Sequence, residues 1–192
     1  MMLERAKSVL VLVDYQSRLM PSIHGGEAAV AEAVFLARAA RALGVPVVGT
    51  EQNPAGLGPN VDEVRALCEP TLAKTHFDAV ADGLTHTLQA AQRARGGELG
   101  HELGQVVIAG CEAHVCLMQT ALGLLASGLR VMVVADACGS RRPADKELAM
   151  QRLARADATL VGAEMVVFEW LRTCQAPEFR AVLQLVKDRP VR

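Results

Sequence analysis

No Cys-x-x-Cys pair occurs in this sequence, and its five cysteines, at positions 68, 111, 116, 138 and 174, are an odd number. Clustered thiolate metal sites therefore have little support, and a chain this long does not need disulfide staples. A reduced, cytoplasmic setting is the expectation. No charged-then-apolar leader is seen, because residues 1–7 run directly into the apolar stretch 8–13, which is far too short to span a bilayer. Neither sign of charge dominates. With 20 Lys and Arg against 21 Asp and Glu, the net charge of −1 gives no electrostatic reason to bind nucleic acid or an anionic membrane. Gly-x-Gly-x-x-Gly, a phosphate loop, His-Glu-x-x-His and Gly-x-Ser-x-Gly are all missing, so nucleotide, metalloprotease and serine-elbow readings lack support.

What is present is a chain of 192 residues, 51% hydrophobic and 21% charged, which fits one domain over residues 1–192 and excludes disorder. Short β-branched runs alternate with longer helical stretches. Residues 9–13 form a continuous apolar run, as in a strand covered on both faces, and it stops at Asp14. Further strands are expected at 45–48, 71–75, 106–109, 131–135 and 158–161. Helices are expected at 27–43, 61–68, 83–95, 116–126, 143–156, 164–172 and 178–186, with Gly44 and Gly128 as stops. Residues 51–60, with two prolines and two glycines, read as loop, and 96–104 as a flexible glycine-rich segment. Such alternation predicts an α/β fold with a parallel sheet, right-handed crossovers and helices on both faces. Sites in these sheets lie beyond the carboxyl ends of the strands, where strand order reverses. With the order 3-2-1-4-5-6, Asp14 and the turn 110–115 face one crevice.

Cys116 follows a strand and a six-residue turn and opens a helix, where backbone N–H groups favour a thiolate. On position alone it reads equally well as a small buried hydrophobe. Asp14 ends an apolar run, where a carboxylate is costly unless paired or solvated. In isolation a loop Asp bonding nearby backbone is the plainer reading, as a solvated surface charge is for Lys74. Together the three suit nucleophilic catalysis. A thiol needs a base to take its proton and an acid to protonate the leaving group, and a carboxylate held by a lysine can do both.

The stretch Val107-Ile-Ala-Gly-Cys-Glu-Ala-His-Val-Cys-Leu-Met-Gln-Thr-Ala-Leu122 resembles the nucleophile segment of the isochorismatase-like cysteine hydrolases. Leu12-Val-Asp-Tyr-Gln16 is similar to that family's first strand, and Ala73-Lys-Thr-His-Phe77 to its lysine segment. Val134-Ala-Asp-Ala-Cys-Gly-Ser-Arg-Arg142 and Glu164-Met-Val-Val-Phe168 match as well, so the resemblance covers nearly the whole chain. It implies a Rossmann-like three-layer α/β/α sandwich with a six-stranded parallel sheet, and a triad of Asp14, Lys74 and Cys116. It also implies a cis peptide at Cys111–Glu112 in the turn before the nucleophile, aiming backbone N–H groups near Ala113 and Cys116 at a developing oxyanion. The metal-binding branch carries an Asp and two His after its second strand. Residues 50–58 here contain no histidine, so no metal or other cofactor is expected. The Glu51-Gln52 loop and the Glu-Ala-His-Val-Cys turn look most like the isochorismatase-domain-containing subgroup.

The implied activity is hydrolysis of a small amide or related carbonyl compound through an acyl-enzyme. A binding or assembly protein that keeps the fold, and a redox role for Cys116 with Cys111 or Cys138, stand as alternatives. Gln16, Gln52 and His114 are candidates for the substrate pocket, with a plain loop or structural role equally open to the two glutamines. His76 reads as a local hydrogen-bonding residue and Trp170 as core or interface. The partners expected are a small-molecule substrate and further copies of the chain in a homo-oligomer.

Overall fold

Strand β1, Ser8–Val13, is buried along its whole length. It lies at the centre of the sheet, where both faces are covered by helices and the continuous apolar run is required. The computed structural model describes residues 2–95 and 103–189. After β1 come α1 (Gly26–Ala42), β2 (Val47–Gln52), the single turns α2 (Pro54–Leu57) and α3 (Asp62–Arg65), β3 (Thr71–Lys74) and α4 (Leu84–Ala94). Then follow β4 (Gln105–Gly110), a π-helical turn (Ala113–Leu117), α5 (Met118–Ala126), β5 (Arg130–Val134), α6 (Pro143–Arg155), β6 (Thr159–Val161), α7 (Ala163–Leu171) and α8 (Phe179–Lys187). Most of the expected segment 96–104 lies outside the described residues.

All pairings are parallel, in the order β3-β2-β1-β4-β5-β6. Helices α1, α7 and α8 pack against one another, while α5 packs on α6 and α4 on β1 and β2. The chain thus winds outward from β1 in both directions, and the reversal between β1 and β4 opens a crevice at their carboxyl ends.

Three expectations from the sequence are corrected. Strand β2 runs to Gln52 rather than stopping at residue 48, and α2 forms inside the stretch expected to be loop. Thr50, Glu51 and Gln52 looked polar enough for solvent, yet each finds a partner at the strand end. Thr50 Oγ1 donates to Asp14, Glu51 Oε1 accepts from the Asn60 N–H, and Gln52 Nε2 donates to the Thr75 carbonyl. The helix expected at 116–126 begins earlier, as the wide turn over Ala113–Leu117, and becomes α-helical only at Met118. Among the described residues no helix is long and apolar enough to cross a membrane.

Candidate active site

Asp14 directly follows β1 and adopts a left-handed backbone with φ of 54°. Aspartate is one of the few side chains that tolerate this region, but it does so at some cost. Its N–H donates to the Thr50 carbonyl at 3.2 Å, which turns the side chain back over the end of the sheet. The carboxylate is fully buried. One oxygen accepts from Thr50 Oγ1 at 2.6 Å, and the other forms an ion pair with Lys74 Nζ at 2.8 Å in which neither side chain is exposed. Lys74 is the last residue of β3 and reaches across the end of β2 to make this contact. An ammonium has three hydrogens to place. Here its other acceptors are Gln52 Oε1 at 2.7 Å and the carbonyls of His76 and Phe77 at 3.4 and 3.5 Å.

Across the crevice, β4 ends at Gly110. A Cβ at this glycine would lie 2.3 Å from the Val13 carbonyl oxygen, so only glycine allows β4 to approach the end of β1 this closely. The next peptide bond, Cys111–Glu112, is cis. Cys116 sits on the π-helical turn, 6% exposed, with its sulfur 4.0 Å from Gln52 Oε1. Burial pushes its thiol up to about 12, the Asp14 carboxylate adds to the rise, and Lys74 opposes it. Lys74 thus acts in the direction expected of it, toward the thiolate. Loss of water and the adjacent carboxylate outweigh the lysine, so the net shift is upward.

The structure separates the remaining candidates. The Ala113 N–H donates to the Gly139 carbonyl at 2.7 Å, so this donor is already occupied. Glu112 turns away to Arg141, which meets it through its backbone N–H at 2.9 Å and its guanidinium at 3.1 Å. The Cys111 thiol is buried, and Cys138 Sγ, also buried, points to the Val134 carbonyl. All five cysteines are free thiols.

Gln16 is fully buried, and its amide is occupied: Nε2 donates to the carbonyls of Gln52 and Gly58, and Oε1 accepts from the Gln52 N–H. It braces the Gln52 backbone rather than lining a pocket. The His114 ring meets Ser140 Oγ at 3.0 Å and lies 3.9 Å from Asp145, which fixes it toward the start of α6. His76 pairs with Asp82 at 3.0 Å on the surface, as a local hydrogen-bonding residue should. Trp170 lies in the core. Sequence reasoning missed Thr50. The usable signal was its spacing of two from Gln52, which puts both side chains on one face of β2. Among the described residues no group of three or more His, Cys, Asp or Glu could hold a metal ion.

A doubly wound parallel sheet of this order defines a Rossmann-like α/β/α protein, here with a buried acid–lysine pair and a thiol at its switch point. The chain belongs to the isochorismatase family, whose Isochorismatase domain model matches residues 8–165. It is similar to isochorismatase domain-containing protein 2A of Mus musculus, at 35% identity over 181 residues that cover 94% of this chain and 83% of that protein. Among solved structures it resembles a MAR1 ribonuclease from Caenorhabditis elegans, with a TM-score of 0.87 and 29% identity over 100% of this chain and 95% of that one. It also resembles YcaC from Pseudomonas aeruginosa, solved with hexane-2,5-diol and covalent acrylamide, with a TM-score of 0.81 and 26% identity over 96% and 91% of the two chains.

Proposed function

We propose that the chain, taken as one domain, is a cysteine-dependent hydrolase of a small amide or related carbonyl C–N substrate, with Cys116 as nucleophile and Asp14 as acid–base. The observation that carries this reading is the buried 2.8 Å pair of Asp14 and Lys74, set beside a thiol at the sheet's switch point. Burial and Asp14 both raise the thiol, so attack is coupled to proton transfer: the proton moves from sulfur to Asp14 as the S–C bond forms. The C–N bond then breaks, and the leaving nitrogen takes the proton from Asp14. Water attacks the thioester, Asp14 accepts its proton, the S–C bond breaks, and the proton returns to sulfur. Lys74 supplies a fixed positive charge that offsets Asp14 throughout. The oxyanion is assigned to the Cys116 backbone N–H, since the Ala113, Val115 and Leu117 N–H groups are occupied.

The covalent acrylamide of the Pseudomonas aeruginosa relative supports a reactive nucleophile in this fold. Gln52 and His114 are the remaining candidates for substrate contact. The exposed apolar residues Leu148, Met165 and Phe168, on α6 and α7, support the expected homo-oligomer. The cytoplasm is the proposed location. The ribonuclease name of the Caenorhabditis elegans relative makes RNA the second substrate class to assay, although a net charge of −1 offers a polyanion little attraction.

The test assays the wild type and Cys116→Ala against small amides, related acyl compounds and RNA. Turnover of a carbonyl compound is expected in the wild type, with a loss of at least about 10³-fold in the variant and an unchanged fold. Full activity in Cys116→Ala would end the reading. RNA cleavage with no amide turnover would replace it, and binding without any turnover would favour a protein that keeps the fold but not the chemistry.

A further inference from the structure

Gln52 touches two members of the triad. Its Oε1 accepts from Lys74 Nζ at 2.7 Å and lies 4.0 Å from the Cys116 sulfur. The amide cannot turn over, because Nε2 donates to the Thr75 carbonyl at 2.7 Å and a flip would set donor against donor at one end and acceptor against acceptor at the other. The main chain is clamped as well. Gln16 Oε1 accepts from the Gln52 N–H at 2.8 Å, and Gln16 Nε2 donates to the Gln52 carbonyl at 3.0 Å. Gln52 itself is nearly buried. A side chain fixed at this many points is held for its oxygen, and that oxygen is neutral. Glutamate has the same shape, but it would set a second carboxylate beside Lys74 in competition with Asp14.

We propose that Gln52 is a positioning residue whose amide oxygen holds the Lys74 ammonium on Asp14 rather than on the sulfur, leaving Asp14 the one proton acceptor beside Cys116. The role rests on the hydrolase reading and deepens it. Other titratable groups in this part of the molecule are turned elsewhere: Glu51 to the Asn60 N–H, His76 to Asp82, Glu112 to Arg141, and His114 to Ser140 and Asp145. The charges that bear on the sulfur are therefore Asp14 from the end of β1 and Lys74 from β3, and Gln52 sets the balance between them.

The experiment measures the second-order rate of Cys116 alkylation by iodoacetamide, with the site assigned by peptide mass, in the wild type, Gln52→Glu and Gln52→Met. A new carboxylate near the sulfur disfavours the thiolate, so Gln52→Glu should react at least about tenfold more slowly at about pH 9. Gln52→Met removes the competing acceptor and frees an ammonium hydrogen for the sulfur, so it should react at least about threefold faster. A purely structural residue would lower stability in both variants without moving the two rates in opposite directions. Equal rates, or shifts of the same sign, overturn the proposal. Should Gln52→Glu fail to fold by circular dichroism, Gln52→Met decides alone, and an unchanged or slower rate overturns it. Alkylation needs no substrate, so its outcome is separate from that of the hydrolase reading, which full turnover in Cys116→Ala would remove.

Discussion

On the β3–β2–β1 side of the crevice, Thr50, Asp14, Lys74 and Gln52 hold one another through side-chain contacts of 2.6, 2.8 and 2.7 Å. On the β4 side the nucleophile is placed mainly by main chain. The Cys111 N–H donates to the Val13 carbonyl, the Ala113 N–H to the Gly139 carbonyl, and the Val115 and Leu117 N–H groups to the Glu112 carbonyl. Single side-chain atoms define the first wall, whereas the second is defined by where backbone can pass. The first wall should therefore fail when a polar group is removed, and the second when a carbon is added.

The largest stability effect should come from breaking the side-chain wall. Lys74→Met leaves the buried Asp14 carboxylate without its counter-charge and should cost about 3–5 kcal/mol in denaturant unfolding. A loss below about 1 kcal/mol would mean that water reaches Asp14 and that the wall is looser than drawn. Gly110→Ala probes the other wall. Its added carbon would meet the Val13 carbonyl oxygen at 2.3 Å, so either the β1–β4 junction or the turn must shift, at a cost of about 1–3 kcal/mol. Neutrality by the same measurement would erase the contrast between the walls.

Glu112→Gln should have the smallest effect, because Arg141 is largely exposed and solvent screens the contact. Burial alone would raise the Glu112 carboxyl, but the Arg141 backbone N–H and guanidinium outweigh it and hold the group below its usual range. A depressed carboxyl contributes stability above its unfolded value, near about 4.3, and loses it as pH falls through the folded value. The melting-temperature gap between wild type and Glu112→Gln should therefore narrow toward zero on acidification from about pH 6. A gap that stays constant with pH would detach Glu112 from Arg141.

Most of the fold was legible because its signals are local. The apolar run before Asp14, the glycines that stop helices and the β-branched run before Gly110 each reflect burial or backbone freedom that one segment reveals. The lower half of β2 was not legible. Thr50, Glu51 and Gln52 are strand residues by virtue of partners at positions 14, 60 and 75, and no local window contains those. The site divides in the same way. The types at 14, 74 and 116 suited one chemistry, but the roles of Gln16 and Gln52 depend on which amide atom meets which carbonyl, and this only the assembled strands decide. The net direction of the thiol was not legible for a related reason, since desolvation is a property of the packed whole.

The reach of Lys74 across β2 has one more consequence. Lys74 is in register with Gln52, and Thr50 with Val13, so the contact to Asp14 spans three strands and two alignments. A slip of either pairing by one residue would turn the lysine to the opposite side of the sheet and leave the carboxylate alone in the interior. The ion pair thus proofreads assembly, penalising any misaligned sheet by the energy of an unmatched charge.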